Sequence, residues 1–274
     1  MSDEAATKRP KRRRLPLNVM IPNMLTLIAL CSGLTAIRFA YEGRWEHAAL
    51  AILAAAILDT LDGRVARIMK GTSKFGAELD SLSDILSFGV APPMMLYFWV
   101  LEDFGRFGWI LVMLFTVACA LRLARFNTAA EDPDPPAWAS TFFSGVPAPA
   151  AAGLALLPMI ASFNLPEEIV NDYVRRPELV AALLLVISIL MVSSIPTYSF
   201  KKVKLSPKLV LPFMVLFVVV IASLIGAPWI TLSCILAAYL ISIPFAVRSY
   251  QKICARTGKC DGDSSPIELT DEDE

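Results

Sequence analysis

Four aspartates, Asp59, Asp62, Asp80 and Asp84, fall within the single stretch DTLDGRVARIMKGTSKFGAELDSLSD. The first two are three positions apart and the second two are four apart, so on helices each pair shares one face, its members one turn from each other. A short loop over Lys70–Phe75 between two antiparallel helices would bring all four carboxylates to one spot. Acids gathered at a membrane boundary repel one another and are costly to desolvate, so a positive partner belongs among them. An all-oxygen, all-carboxylate set suits a hard divalent cation, Mg²⁺ or Mn²⁺, and not zinc, which prefers nitrogen and sulfur. Two such ions shared by four carboxylates is the arrangement used for in-line phosphoryl displacement.

The remaining residues of the stretch fit a nucleotide. Gly63, Ala66 and Gly76 are small at positions where a ligand could approach the backbone, and Arg67 is a permanent cation for phosphate oxygens or a base edge. Each also has a plain reading. Small residues are common where membrane helices touch, and an arginine at a helix end anchors it on the cytosolic side.

The elements that must position these residues are apolar. The chain is 56% hydrophobic and only 18% charged, far from the balance of a soluble domain. Eight apolar segments stand out, roughly 18–40, 46–61, 82–101, 107–124, 143–163, 179–196, 208–226 and 229–247. They are continuous runs, not the alternating pattern of a barrel strand, so helices are the spanning structure that fits. The second helix is expected to continue past Asp59 toward Met69. The fold class expected is an all-α integral membrane protein, a polytopic bundle of about eight transmembrane helices. A secretory signal, the rival reading of the first segment, fits poorly with a long run followed by seven more.

Orientation follows from the basic residues. With the N-terminus in the cytosol, only Arg38, Arg44, Arg106, Arg175 and Arg176 of the 25 lysines and arginines fall outside, as the positive-inside rule requires. The C-terminus then also lies in the cytosol. The domains expected are a basic cytosolic tail at 1–16, one membrane-embedded domain at 17–250 and an acidic cytosolic tail at 251–274. Anionic lipid explains the basic tail without nucleic acid. Residues Glu131–Trp138 (EDPDPPAW) read as a proline-rich loop.

Five scattered cysteines show no metal or disulfide spacing, and three of them lie in apolar runs as small hydrophobes. The single histidine, His47, excludes mechanisms that need two and reads as an interfacial residue. Trp99, Trp109 and Trp229, at segment ends, suit an aromatic belt.

The aspartate stretch resembles the signature of the CDP-alcohol phosphotransferase family, D-x2-D-G-x2-A-R-x8-G-x3-D-x3-D. Asp59, Asp62, Gly63, Ala66, Arg67, Gly76, Asp80 and Asp84 match every fixed position. The resemblance implies two divalent metals on the aspartates, a CDP-linked lipid as donor, Asp84 as the base that deprotonates the incoming alcohol, and a homodimer. Beyond the signature, Ile21–Leu27 (IPNMLTL), Ser83–Pro93 (SDILSFGVAPP), Leu121–Asn127 (LRLARFN) and Phe143–Gly153 (FSGVPAPAAAG) are similar to the bacterial branch whose acceptor is serine. The implied reaction moves the phosphatidyl group of CDP-diacylglycerol to L-serine at the cytosolic face of the cell (inner) membrane. Arg122 and Arg125, three apart, are then candidates for the serine carboxylate, and Asn23 and Thr26 for the donor phosphates. Lys201, Lys202 and Lys204 read as an anionic-surface anchor. The nearest alternative is the same chemistry on glycerol 3-phosphate, inositol phosphate or choline. A cation transporter is more distant, since transport sites lie near the midplane between repeated halves and no repeat is visible here.

Overall fold

A computed structural model describes residues 17–69, 71, 73–130, 142–193, 196–198 and 207–257. The tails at 1–16 and 258–274, the proline-rich stretch 131–138 and Lys201, Lys202 and Lys204 lie outside the described residues. Among the described residues the structure is helical, apart from one pair of short strands and the connecting turns. In order come α1 (Leu17–Tyr41), α2 (Trp45–Ile68), α3 (Lys74–Asp84), α4 (Ala91–Trp99) and α5 (Arg106–Ala130). Then follow β1 (Phe142–Ser144), α6 (Ala148–Ser162), the short α7 (Glu167–Ile169), α8 (Pro177–Val192), β2 (Pro196–Tyr198), α9 (Pro207–Gly226) and α10 (Pro228–Thr257). The second helix does run past Asp59, ending at Ile68.

The interior and the surface differ in the way a bilayer demands. Small residues fill the helix contacts: Ala36, Ala48, Ala55, Ala91, Ala151 and Ala155 are fully buried, letting backbones approach closely. Large apolar side chains face outward, among them Ile28, Met113 and Phe217. The stretches Met20–Tyr41 and Arg106–Thr128 are long and apolar enough to cross a membrane, and only 28% and 33% of each is buried inside the protein. Core helices of a soluble protein would be mostly covered. The described structure is all-helical in its spans and has the outward-facing apolar surface of a membrane helical protein.

Two features depart from the expected bundle. The apolar segment 82–101 is helical as far as Trp99, but not uniformly α, because a wide π-helical turn, Ile85–Val90, is inserted between α3 and α4. Pro92 and Pro93 are the physical cause. Neither has an N–H to give to the turn before it. The Ala91 N–H reaches back five residues to the Leu86 carbonyl. The Gly89 carbonyl, which a residue other than Pro93 would have satisfied, accepts instead from Thr116 Oγ1 at 2.9 Å. The second departure is an antiparallel ladder, Phe142 opposite Tyr198 and Ser144 opposite Pro196, joining the entry to α6 with the exit from α8.

α1 is the frame against which the site is assembled. It packs along α2 and against α3, the π turn and α4. Gly33 permits the closest approach: a Cβ there would lie 2.6 Å from Ser87 Oγ and 2.7 Å from Ser87 Cα. Between α1 and α2 the chain reverses through Gly43 at φ 73°, a left-handed position suited to glycine.

Some sequence expectations need correction. Trp99 is not in an interfacial belt but 4% exposed. α4 ends inside the protein, where Arg175 Nε and Nη2 donate to the Trp99 carbonyl at 3.2 and 3.0 Å. Trp109 is exposed, as an interfacial residue would be. Of the cysteines in apolar runs, Cys119 is buried, while Cys31 and Cys234 face outward. His47 rests tilted against Phe39, with ring centroids 5.6 Å apart.

Candidate functional site

The last turns of α2 carry Asp59 and Asp62, and α3 carries Asp80 and Asp84. The turn between these helices closes tightly. The Gly71 N–H donates to the Ala66 carbonyl at 3.0 Å, and Ser73 caps α3 by accepting from the Gly76 N–H at 3.0 Å. Such a cap satisfies a backbone donor that the first helical turn cannot. The two acid-bearing faces therefore meet. Carboxylate oxygens of Asp59, Asp62 and Asp80 lie within 4.8 Å of one another, and Asp84 reaches Asp59 side chain to side chain. The convergence expected from the spacing is present.

The set is charged and under-partnered. Among the described residues no lysine or arginine forms an ion pair with any of the four. Asp80 Oδ1 and Asp84 Oδ1 are buried without a hydrogen-bond partner. Two carboxylates at this spacing repel by roughly 3 kcal/mol per pair at an effective dielectric of about 20. Buried oxygens with no donor, gathered from several directions, fit a hard divalent cation in chemistry and in number. Asp62 has a donor from another helix: Thr26 Oγ1, on α1, lies 2.6 Å from its Oδ2.

Beside the acids runs an open groove of about 170 Å³ between α1, α2 and α3. Five of the six residues expected at the donor lipid line it: Asn23, Thr26, Gly63, Ala66 and Gly76. The sixth, Arg67, lies back along its own helix and donates from Nε to the Gly63 carbonyl at 3.0 Å. The two glycines differ in kind. A Cβ at Gly76 would meet Asn23 Oδ1 at 2.9 Å and Ser73 Oγ at 3.2 Å, whereas at Gly63 it would meet nothing within 4 Å. Packing explains Gly76. At Gly63 only something occupying the groove would require the absence of a side chain.

Arg122 and Arg125 meet different neighbours. Arg122 is turned toward the acids, within electrostatic reach of Asp84, Cys119 and Tyr239, and its buried Nε has no partner. Arg125 Nη1 instead donates to the Val192 carbonyl at the end of α8, at 3.1 Å. Near them, Asn127 Nδ2 donates to Ser81 Oγ at 2.8 Å, tying α5 to α3.

The sequence reading missed Ser81, Ser83, Asn127 and Tyr239 around the site. Ser81 and Ser83 sit between the two acids of α3, and their interleaving with Asp80 and Asp84 was the available signal. Tyr239, on α10, had none.

Comparison with known proteins agrees with this geometry. The model of a family described as CDP-alcohol phosphatidyltransferase matches residues 19–193, and one described as CDP-alcohol phosphatidyltransferase 2 matches residues 208–244. A CDP-diacylglycerol--serine O-phosphatidyltransferase of Mycobacterium bovis is 39% identical over 241 residues, covering 88% of this chain and 82% of the relative. Its namesake from Helicobacter pylori is 36% identical over 233 residues, covering 83% and 91%. An archaetidylserine synthase of Methanothermobacter thermautotrophicus is 36% identical over 181 residues, covering 65% and 69%.

Proposed function

The chain belongs to the CDP-alcohol phosphatidyltransferase family, and from that premise we propose that it transfers the phosphatidyl group of CDP-diacylglycerol to L-serine, giving phosphatidylserine and CMP. The observation that carries the reading is the unpaired aspartate cluster beside a groove bordered by Gly63. A pyrophosphate donor presents anionic oxygens to such a cluster only if cations intervene. Relatives over most of the chain that are named for the serine reaction supply the acceptor.

In the reaction, the serine Oγ attacks the phosphorus bonded to diacylglycerol. A new P–O bond forms, the bond to the bridging oxygen breaks, and CMP departs with that oxygen. The serine hydroxyl proton passes to Asp84. A carboxylate is a weak base toward an alcohol, so proton transfer accompanies bond formation. Asp59, Asp62, Asp80 and Asp84 would hold Mg²⁺ or Mn²⁺, two per site, which when bound would supply charge neutralisation at the pyrophosphate. Asn23, Thr26, Gly63, Ala66 and Gly76 border the donor's place, with Arg67 at its edge. Arg122, whose Nε is buried and unpartnered, orients the serine carboxylate beside Asp84. Arg125 holds the helix that presents Arg122.

Eight spans place both termini and the acids on the cytosolic side of the inner membrane, with residues 17–250 forming the membrane domain between a basic and an acidic tail. The working unit is a homodimer. The test is an acceptor screen on purified protein with CDP-diacylglycerol and Mn²⁺ or Mg²⁺. Serine, glycerol 3-phosphate, inositol phosphate and choline are each assayed for CMP release, with Asp84→Asn alongside. Release with serine alone, falling at least about 100-fold in the variant, is expected. Release with another alcohol would overturn the acceptor, and no release from folded protein would overturn the activity.

A further inference from the structure

Thr26 was expected to touch the donor phosphates, yet its hydroxyl is already engaged. Thr26 and Asp62 are each 4% exposed, and Thr26 Oγ1 lies 2.6 Å from Asp62 Oδ2 and 3.1 Å from the Pro22 carbonyl. The hydroxyl has one proton for two acceptors, and the shorter contact to a charged oxygen takes it. The backbone of the same residue serves the opposite helix. Ser83 Oγ donates to the Thr26 carbonyl at 3.2 Å, and one turn on, Ser87 Oγ reaches the Ala29 carbonyl at 3.4 Å. Ser83 stands between Asp80 and Asp84. One residue of α1 thus grips an acid of α2 by its side chain and the acid-bearing helix α3 by its main chain.

We propose that Thr26 is a positioning residue for the aspartate metal centre, fixing the rotation of the Asp62 carboxylate and the spacing between the two acid pairs. The inference rests on the metal reading given above. A carboxylate held at one oxygen cannot turn about its Cβ–Cγ bond, so it presents one set edge to Asp59 and Asp80. Groups that orient ligands in this way govern affinity for the ion without touching it.

The test is Mn²⁺ binding by the purified full-length protein in detergent, followed by electron paramagnetic resonance without substrate. Thr26→Val keeps the shape and removes the donor, and Thr26→Ser keeps the donor. The valine variant should bind Mn²⁺ about tenfold more weakly or worse, and the serine variant within about threefold of the parent. The serine KM should not change in either. If Thr26→Val fails to fold, Thr26→Cys supplies the comparison, since its thiol fills the space as a weak donor. Parent-like Mn²⁺ binding by the variant lacking the hydroxyl would overturn the proposal, as would a rise confined to the KM for CDP-diacylglycerol. Failure of the parent itself to bind Mn²⁺ would remove the metal reading and this inference together.

Discussion

Gly63→Ala separates what the groove needs from what the fold needs. A Cβ at this position meets no atom of the protein within 4 Å, and the residue lies within α2. Replacing glycine by alanine in a helix stabilises it by about 1 kcal/mol, so the variant should unfold at a slightly higher temperature than the parent. With the donor seated against Gly63, the methyl group intrudes on a filled space. Overpacking of this kind costs about 1–3 kcal/mol, which corresponds to a fall of about 5- to 150-fold in kcat/KM for CDP-diacylglycerol. The assay is initial-rate CMP release at varied CDP-diacylglycerol and saturating serine, paired with thermal unfolding in the same detergent. Gly76→Ala is the control. Its Cβ would come within 2.9 Å of Asn23 Oδ1 and 3.2 Å of the capping Ser73 Oγ, side-chain ends that must shift, so it should not show the gain in unfolding temperature expected of Gly63→Ala. A Gly63→Ala enzyme with kcat/KM within about twofold of the parent would refute the idea that the donor lies in this groove, because a 1 kcal/mol clash already exceeds that margin.

Two further substitutions probe the acceptor side and the frame. Arg122→Lys removes the planar fork, and loss of a charged hydrogen bond worth about 1.5–3 kcal/mol should raise the serine KM by roughly 10- to 150-fold, leaving the CDP-diacylglycerol KM in place. Arg125→Ala, losing its bond to the Val192 carbonyl, should act mainly on thermal stability, and equal effects of the two on serine KM would contradict the division of labour. Gly33→Ala places a methyl 2.7 Å from the Ser87 Cα, a backbone neighbour that cannot swing away. It should destabilise the protein by about 1–3 kcal/mol, and an unchanged unfolding temperature would show that α1 and the π turn do not meet so closely.

Much of the acid cluster was legible because helical periodicity acts over a few residues. Asp59 with Asp62 and Asp80 with Asp84 had to share faces once the apolar runs around them were helices, and the loop between them was too short for anything but reversal. The same local logic carried α2 past Asp59. Partnerships over longer separations left no such trace. Nothing in the sequence says that the Thr26 hydroxyl belongs to Asp62, 36 positions away, and not to a ligand. Arg122 and Arg125 share a helical side, yet one turns inward and the other is taken by the end of α8. Trp99 looked interfacial because it closes an apolar run; that run ends against Arg175 inside the protein. The widening before α4 had a visible cause in Pro92 and Pro93, but proline is common in membrane helices and does not announce a π turn.

That wide turn has a consequence for which changes the gene can tolerate. An α-helix turns through about 100° per residue, and the Ile85–Val90 turn resets the phase between two faces with different tasks. Before it, Asp80 and Asp84 look into the acid cluster; after it, Met95 and Leu96 look into the core. Deleting one residue anywhere in that window would leave composition and hydropathy nearly unaltered. It would rotate one face by about 100° relative to the other, so either the aspartates leave their cluster or the core is exposed. The number of residues in the turn thus matters to the site as much as the identity of the acids, although none of its side chains need meet a substrate. Ser87, Phe88 and Gly89 within the turn are buried against their neighbours, so the window is constrained in length and in its inward side chains alike.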